Sequence, residues 1–257
     1  MRKSPPLSPD AQMPFIEHLL ELRSRLLKVI LAIFIVLFAL MPFSKELFTL
    51  VAEPLMRFMP ENTQMIAIDP AAPFLTPFKL TFMVAVFITI PIALYHFWAF
   101  VAPGLYKHEK ALIMPLLVSS VLLFYLGMIF AYYVVFPLIF GFMVSVTPIG
   151  VAMMTDISRY LDFTLTVFFA FGAAFEVPIV VIVLVWTGLV TPEYLTEKRP
   201  YIIVAAFIIG MLLTPPDVIS QTLLAVPMWL LFEAGLFFSR WLITKKTETS
   251  QQMDLPK

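Results

Sequence analysis

The sequence predicts an all-α fold, an integral membrane bundle of six transmembrane helices with both termini cytoplasmic and with short fifth and sixth spans. Three observations lead there. Hydrophobic residues make up 61% of the 257 and charged ones only 13%, too little polar surface for a water-soluble globule of this length. Mean hydropathy is +0.94, and the apolar residues gather in six blocks on the scale of the roughly 20 that cross a bilayer as a helix. With the amino terminus in the cytoplasm, only Lys45, Arg57, Lys79 and Arg159 of the 17 basic residues fall outside, a strong positive-inside bias.

From the amino terminus, Met1 to Leu20 carries Pro5, Pro6, Pro9, Pro14, Asp10 and Glu17 where a cleavable signal would need an apolar core, so the first block is expected to stay as an anchor. It runs from Leu26 to Phe43. After it, Leu47, Leu50, Val51, Leu55 and Phe58 recur at helical spacing, with Ser44 as a cap and Pro60 as a stop. This predicts an amphipathic helix lying on the bilayer or on neighbouring spans. Asp69 to Pro77 holds three prolines and reads as an extended external linker. The second span is placed at Leu80 to Ala102 and the third at Ala111 to Val146, with Pro115 and Pro137 as kinks.

The fourth span is placed at Phe163 to Val190. The fifth, Tyr201 to Leu213, is closed by Pro200 and by Pro215 and Pro216; about 13 apolar residues rise roughly 20 Å against a hydrocarbon core of about 30 Å. The sixth, Val218 to Trp241, is purely apolar only from Thr222 to Phe232, between Gln221 and Glu233. Both should match a thinned layer. No internal repeat is visible, and the chain reads as one polytopic domain over 1–257 with cytoplasmic tails at 1–17 and 242–257.

Formal net charge is zero and there is no cysteine, which argues against nucleic acid as a partner and removes disulfides, thiolate metal sites and a thiol nucleophile. No phosphate-binding loop, H-E-x-x-H or G-x-S-x-G is present, and His18, His96 and His108 are scattered, so neither nucleotide hydrolysis nor an intramembrane enzyme is indicated. No cofactor or metal is expected. His96, in Tyr95 to Trp98, reads as part of an aromatic interface belt.

Glu176 is the one charged side chain between Phe163 and Thr191, and a carboxylate within a span marks a functional site unless it is simply protonated and bonded to a neighbouring helix. Glu233 is a weaker case, close to Ser239 and Arg240. Near the first span, Glu21 and Arg25 stand at i, i+4, in the order that favours an intrahelical pair. Glu109 lies between Lys107 and Lys110, which can neutralise it. Asp217 suits the N-cap of the last span.

Five segments together resemble the TatC family of the twin-arginine protein translocase: His18 to Leu26 (HLLELRSRL), Pro73 to Leu80 (PFLTPFKL), Trp98 to Glu109 (WAFVAPGLYKHE), Phe171 to Pro178 (FGAAFEVP) and Gly210 to Asp217 (GMLLTPPD). The likeness extends from His18 to about Arg240. It implies a non-enzymatic receptor in the bacterial cytoplasmic (inner) membrane. Such a receptor binds twin-arginine signal peptides and assembles with TatA and TatB type single-span proteins, exporting folded proteins on the proton-motive force.

By the same resemblance Glu21 and Glu109 hold the arginine pair, Arg23 and Phe100 support that surface, and Glu176 is the buried acid of the concave face. Met211, Thr214 and Gln221 form a polar cluster where TatA or TatB docks; Pro54 and Asp217 are important positions for which only structural roles can be argued. Two other readings remain at this point: a proton-coupled secondary transporter of a small solute using Glu176, and a membrane scaffold without receptor function.

Overall fold

The computed structural model describes residues 9–57, 65–101, 113–148, 154–213 and 218–253, with the side chains at 9–15, 54, 55, 101, 113, 213, 220 and 242–253 outside the description. The expected positions Phe58, Pro60, Glu109, Thr214 and Asp217, and the side chains of Pro54 and Leu55, therefore lie outside the described residues. The described residues are helical apart from turns and one isolated bridge.

Helix α1, Pro9–Leu40, begins well before the apolar run, because Glu17 to Arg25 already has helical spacing and its Glu21–Arg25 pair supports the turn that leads into the span. A single 3-10 turn, Met41–Phe43, joins it to α2, Ser44–Met56. Ser44 has φ −60° and ψ −33°. It is thus inside the helical run rather than capping it, a correction to the sequence reading, since an N-cap needs non-helical dihedrals. The apolar face of α2 packs inward as expected, burying Val51 and Ala52 with Leu47 and Phe48 against the same core.

The proline-rich linker is also corrected. Extended chain is confined to the residues around Ile66, and α3, Ala72–Ile88, starts where a linker was expected. Asp69 makes the start: its side chain accepts from the Ala71 N–H at 2.9 Å, and its carbonyl from the Ala72 N–H at 2.9 Å. Pro73 is then in the first turn, where a missing N–H costs nothing because those donors are unpaired in any helix.

The second span is likewise not one helix. α3 and α4, Ile90–Val101, meet at Thr89 with a bend of 47°. Pro91 explains the bend, since it has no N–H to give the Phe87 carbonyl and its ring crowds the preceding turn. The Tyr125 hydroxyl donates to that same Phe87 carbonyl at 3.1 Å, so the group that proline strands is satisfied from a neighbouring helix, as lipid requires.

α5, Ile113–Phe130, runs through a π turn, Ala131–Val135, into α6, Phe136–Ser145. The Phe136 N–H reaches back to the Ala131 carbonyl, and this wide turn directly precedes Pro137, one of the two expected kink sites. Pro115 stands near the start of the described helix, with no break there. The continuous helical stretch Met114–Ser145 is 32 residues, about 48 Å, longer than a hydrocarbon core of about 30 Å.

α7, Ile157–Ala174, and α8, Val177–Trp186, are separated by a turn at Phe175 and Glu176, with Pro178 removing the next donor. Asp156 caps α7, its carboxylate accepting from the Arg159 N–H at 3.1 Å and from the Ile68 N–H at 3.2 Å. Beside it, the Ile66 N–H donates to the Thr155 carbonyl at 3.0 Å and the Ile157 N–H to the Ile66 carbonyl at 2.9 Å. The Tyr160 hydroxyl donates to the Val51 carbonyl at 2.8 Å. Asp156 and its neighbours thus tie the Ile66–Ile68 segment to the start of α7, and Tyr160 ties α7 to α2.

Gly188, φ +71°, turns the chain toward α9, Pro192–Glu197. α10, Arg199–Leu213, is the short fifth span at 15 residues, and α11, Val218–Met253, extends to 36. α5 packs on α7, α8 and α10 pack on α11, and α1 touches α3 and α4. Phe136, Phe168 and Phe171 centre the main core. Among the described residues four helices are long and apolar enough to cross a membrane, the bent α3–α4 pair adds one more, and α10 is a shorter apolar helix that brings the candidates to six.

Candidate functional site

At the end of the bundle where α1 begins, α1 and α4 meet through a ring stack. The rings of His18 and Phe100 are 4.0 Å apart with an interplanar angle of 11°. One turn along from His18, the Glu21 carboxylate is held from two sides. Arg25 brings Nε to Oε1 at 2.9 Å and a second guanidinium nitrogen to the same oxygen. His18 Nδ1 lies 3.7 Å from Oε2.

Arg23, two residues from Glu21 and so on another side of α1, is exposed and lines a groove of about 430 Å³ together with Leu20, Ser24, Leu27, Lys28 and Leu31. Glu21, Arg23 and Phe100 thus fall at one end of the bundle, with Phe100 joined to Glu21 by way of His18. Glu109, in the connection that follows α4, lies outside the described residues. A carboxylate on a partly exposed helix face can accept the N–H donors of a planar guanidinium, and here Oε1 takes two of them from Arg25.

The second polar feature is inside the bundle. Glu176 occupies the break between α7 and α8, half buried, and its Oε1 is shut off from solvent with no hydrogen-bond partner among the described residues. The Ser120 side chain lies near the same carboxyl, and Ser120, fully buried, accepts from Trp98 Nε1 at 3.3 Å. Trp98 is 5% exposed, whereas neighbouring Tyr95 stays exposed. Close helix approach supports the site: a Cβ at Gly235 of α11 would be 2.8 Å from the Pro178 Cα.

Glu233 is not partnered by its sequence neighbours. It accepts from Arg199 at 2.6 Å, across α10 and α11, while Arg240 donates to Thr196 at 2.6 Å. At the far end of those helices, Met211 is 51% exposed and Gln221 half buried. A Cβ at Gly210 would be 3.3 Å from the Gln221 carbonyl oxygen, so Gly210, the sequence neighbour of Met211, packs closely on Gln221 where α10 meets α11. Thr214 and Asp217 fall between them in sequence, outside the described residues.

Sequence reasoning passed over His18, Ser120, Trp98 and Arg199 as site residues. His18 carried a usable signal, its i, i+3 spacing to Glu21; the other three act across helices, which spacing does not record. At the opposite end, Lys79 and Asp162 pair between α3 and α7, over a cavity of about 420 Å³ that also touches Met83, Leu165, Thr166 and Phe169.

Comparison with known proteins gives a consistent result. Residues 17–227 match the family model TatC, described as Sec-independent protein translocase protein (TatC). The chain is 58% identical to the Sec-independent protein translocase protein TatC of Azotobacter chroococcum over 89% of this chain and 90% of that one. It is 54% identical to that of Escherichia coli strain K12 over 93% of each. A crystal structure of the twin-arginine translocase receptor TatC superposes with a TM-score of 0.78 at 40% identity, covering 87% of this chain and 98% of that chain.

Proposed function

Because the chain belongs to the TatC family of Sec-independent protein translocase proteins, and is thus a multi-pass membrane subunit of that translocase, we propose that it is the receptor for twin-arginine signal peptides. In this reading Glu21 and Glu109 take the two guanidinium groups, with Arg23 and Phe100 shaping the surface around them. The observation that supports it is the partly exposed Glu21 carboxylate, which accepts two N–H groups of Arg25 on one oxygen and so is placed where guanidinium donors can reach it. Lysine offers a point charge without the planar fork, which accounts for a preference for arginine.

The remaining roles follow the same reading. Glu176 provides a polar place within the bundle for the inserted part of the peptide, and Met211, Thr214 and Gln221 form the docking corner for TatA and TatB type partners. Pro54 and Asp217 act through local backbone structure. The protein resides in the bacterial inner membrane with both termini in the cytoplasm, works in several copies, and draws on the proton-motive force for export of folded proteins. A solute transporter would be favoured by helices interrupted at mid-bundle, and interruptions do occur at Thr89 and at Phe175, but membership of a protein translocase family weighs against it.

The test is equilibrium binding of a labelled signal peptide, in Arg-Arg and Lys-Lys versions, to the full-length protein in membranes. Glu21→Gln and Glu109→Gln should each weaken Arg-Arg binding by about tenfold to a hundredfold, the loss of a hydrogen-bonded charge. Unchanged binding, indifferent to Arg-Arg or Lys-Lys, rejects the receptor reading.

A further inference from the structure

We propose that Arg25 is a built-in competitor of the incoming arginine pair, occupying the Glu21 carboxylate at rest and leaving it only when a signal peptide takes its place. The proposal rests on the arginine-binding reading of Glu21 and adds a resting state to it. Arg25 Nε is 2.9 Å from Oε1 of Glu21, and its second donor closes on the same oxygen, while Oε2 faces His18 Nδ1 at 3.7 Å. A guanidinium docking in two parallel bonds needs both oxygens, and one is taken.

Charge points the same way. Between Glu17 and Lys28, α1 carries Glu17 and Glu21 against Arg23, Arg25 and Lys28, so with Arg25 paired to Glu21 this stretch of the helix has no excess negative charge to draw a cationic peptide. Once Arg25 swings away, the carboxylate is restored as a negative site. The pair is partly exposed, 23% at Arg25 and 36% at Glu21, and can therefore open without unfolding the helix. His18, stacked on Phe100, stays in place and keeps the Glu21 side chain at the seam between α1 and α4.

A competitor lowers the affinity of every ligand for its acceptor by the same factor. The experiment is equilibrium binding of the labelled Arg-Arg and Lys-Lys signal peptides to full-length protein in membranes, comparing Arg25→Gln, Arg25→Lys, Lys28→Gln and Glu21→Gln. Lys28 lies one turn beyond and has no ion pair among the described residues, so its substitution removes the same charge without freeing Glu21. Arg25→Gln should tighten binding of both peptides by about two- to fivefold, the scale of a partly exposed ion pair, with their ratio unchanged. Lys28→Gln should tighten it clearly less.

Equal gains in Arg25→Gln and Lys28→Gln would mean simple charge repulsion and overturn the proposal, as would no gain in Arg25→Gln. If Arg25→Gln loses binding and Arg25→Lys keeps it, Arg25 supports Glu21 rather than competing for it, and the proposal is again overturned. Should Glu21→Gln leave Arg-Arg binding untouched, it is the arginine-site reading itself that fails, a result separable from the others.

Discussion

Replacing Glu176 with Leu is expected to leave binding of the arginine pair within about twofold of the wild type, yet to reduce transport by about tenfold or more, the scale of losing one charged hydrogen-bonding group. The reasoning starts from cost. A carboxyl within a span is unfavourable by about 2.5 to 3.5 kcal/mol on insertion scales, so leucine at 176 should not harm insertion or folding. What is lost is a polar group at a helix break, with one oxygen enclosed and unpartnered among the described residues and the bonded Trp98–Ser120 pair close to it. Peptide crosslinking at the α1 end, scored beside export of a folded reporter, separates the two steps. Glu176→Gln, which keeps a hydrogen-bonding carbonyl, should transport better than Glu176→Leu. If Glu176→Leu abolished the first binding step, the acid would belong to the arginine site and its assignment to later insertion would be wrong.

The largest structural effect is expected at Gly127. In lipid no hydrophobic force drives helix to helix, and close backbone approach carries much of the packing. A Cβ at Gly127 of α5 would sit 2.5 Å from the Phe171 carbonyl oxygen of α7, and one at Gly172 of α7 would be 2.7 Å from the Phe124 ring of α5. The two contacts are reciprocal and lock the same pair of helices. Gly127→Ala should cost about 1–3 kcal/mol by overpacking, and Gly127→Val should leave little folded protein. Gly172→Ala should be milder, because a ring has more freedom than a helix backbone. Gly188 is a useful contrast: nothing lies within 4 Å of a Cβ there, so Gly188→Ala should cost only the roughly 1–2 kcal/mol of its left-handed backbone. Detergent denaturation midpoints rank the four; equal midpoints for Gly127→Ala and wild type would contradict the packing account.

The bundle was legible because apolar blocks and charge segregation are properties of the chain itself. The prolines were less so, since one residue type has different consequences by position. Pro73 falls within the first turn of α3 and is harmless there, although counting prolines over Asp69 to Pro77 predicted a linker. Pro91 lies inside an apolar run that reads as one span, yet it bends the helix at Thr89 by 47°; the bend is tolerated because Tyr125 reaches the orphaned Phe87 carbonyl, a contact 38 residues away. Glu176 was visible as a lone charge between apolar stretches, and Glu21 with Arg25 as an i, i+4 pair. Glu233 was read against its neighbours Ser239 and Arg240, whereas its partner, Arg199, is on another helix. Local spacing reports contacts along a helix and is silent about those between helices.

Glu21 and Glu109 are expected to face the same compartment, close enough to hold one arginine pair. The protein has no cysteine, so Glu21→Cys and Glu109→Cys each give a single reactive thiol. With a membrane-impermeant maleimide, both positions should label in inside-out vesicles and neither in right-side-out ones, placing both on the cytoplasmic face. Labelling of the two from opposite sides of the membrane would contradict the account.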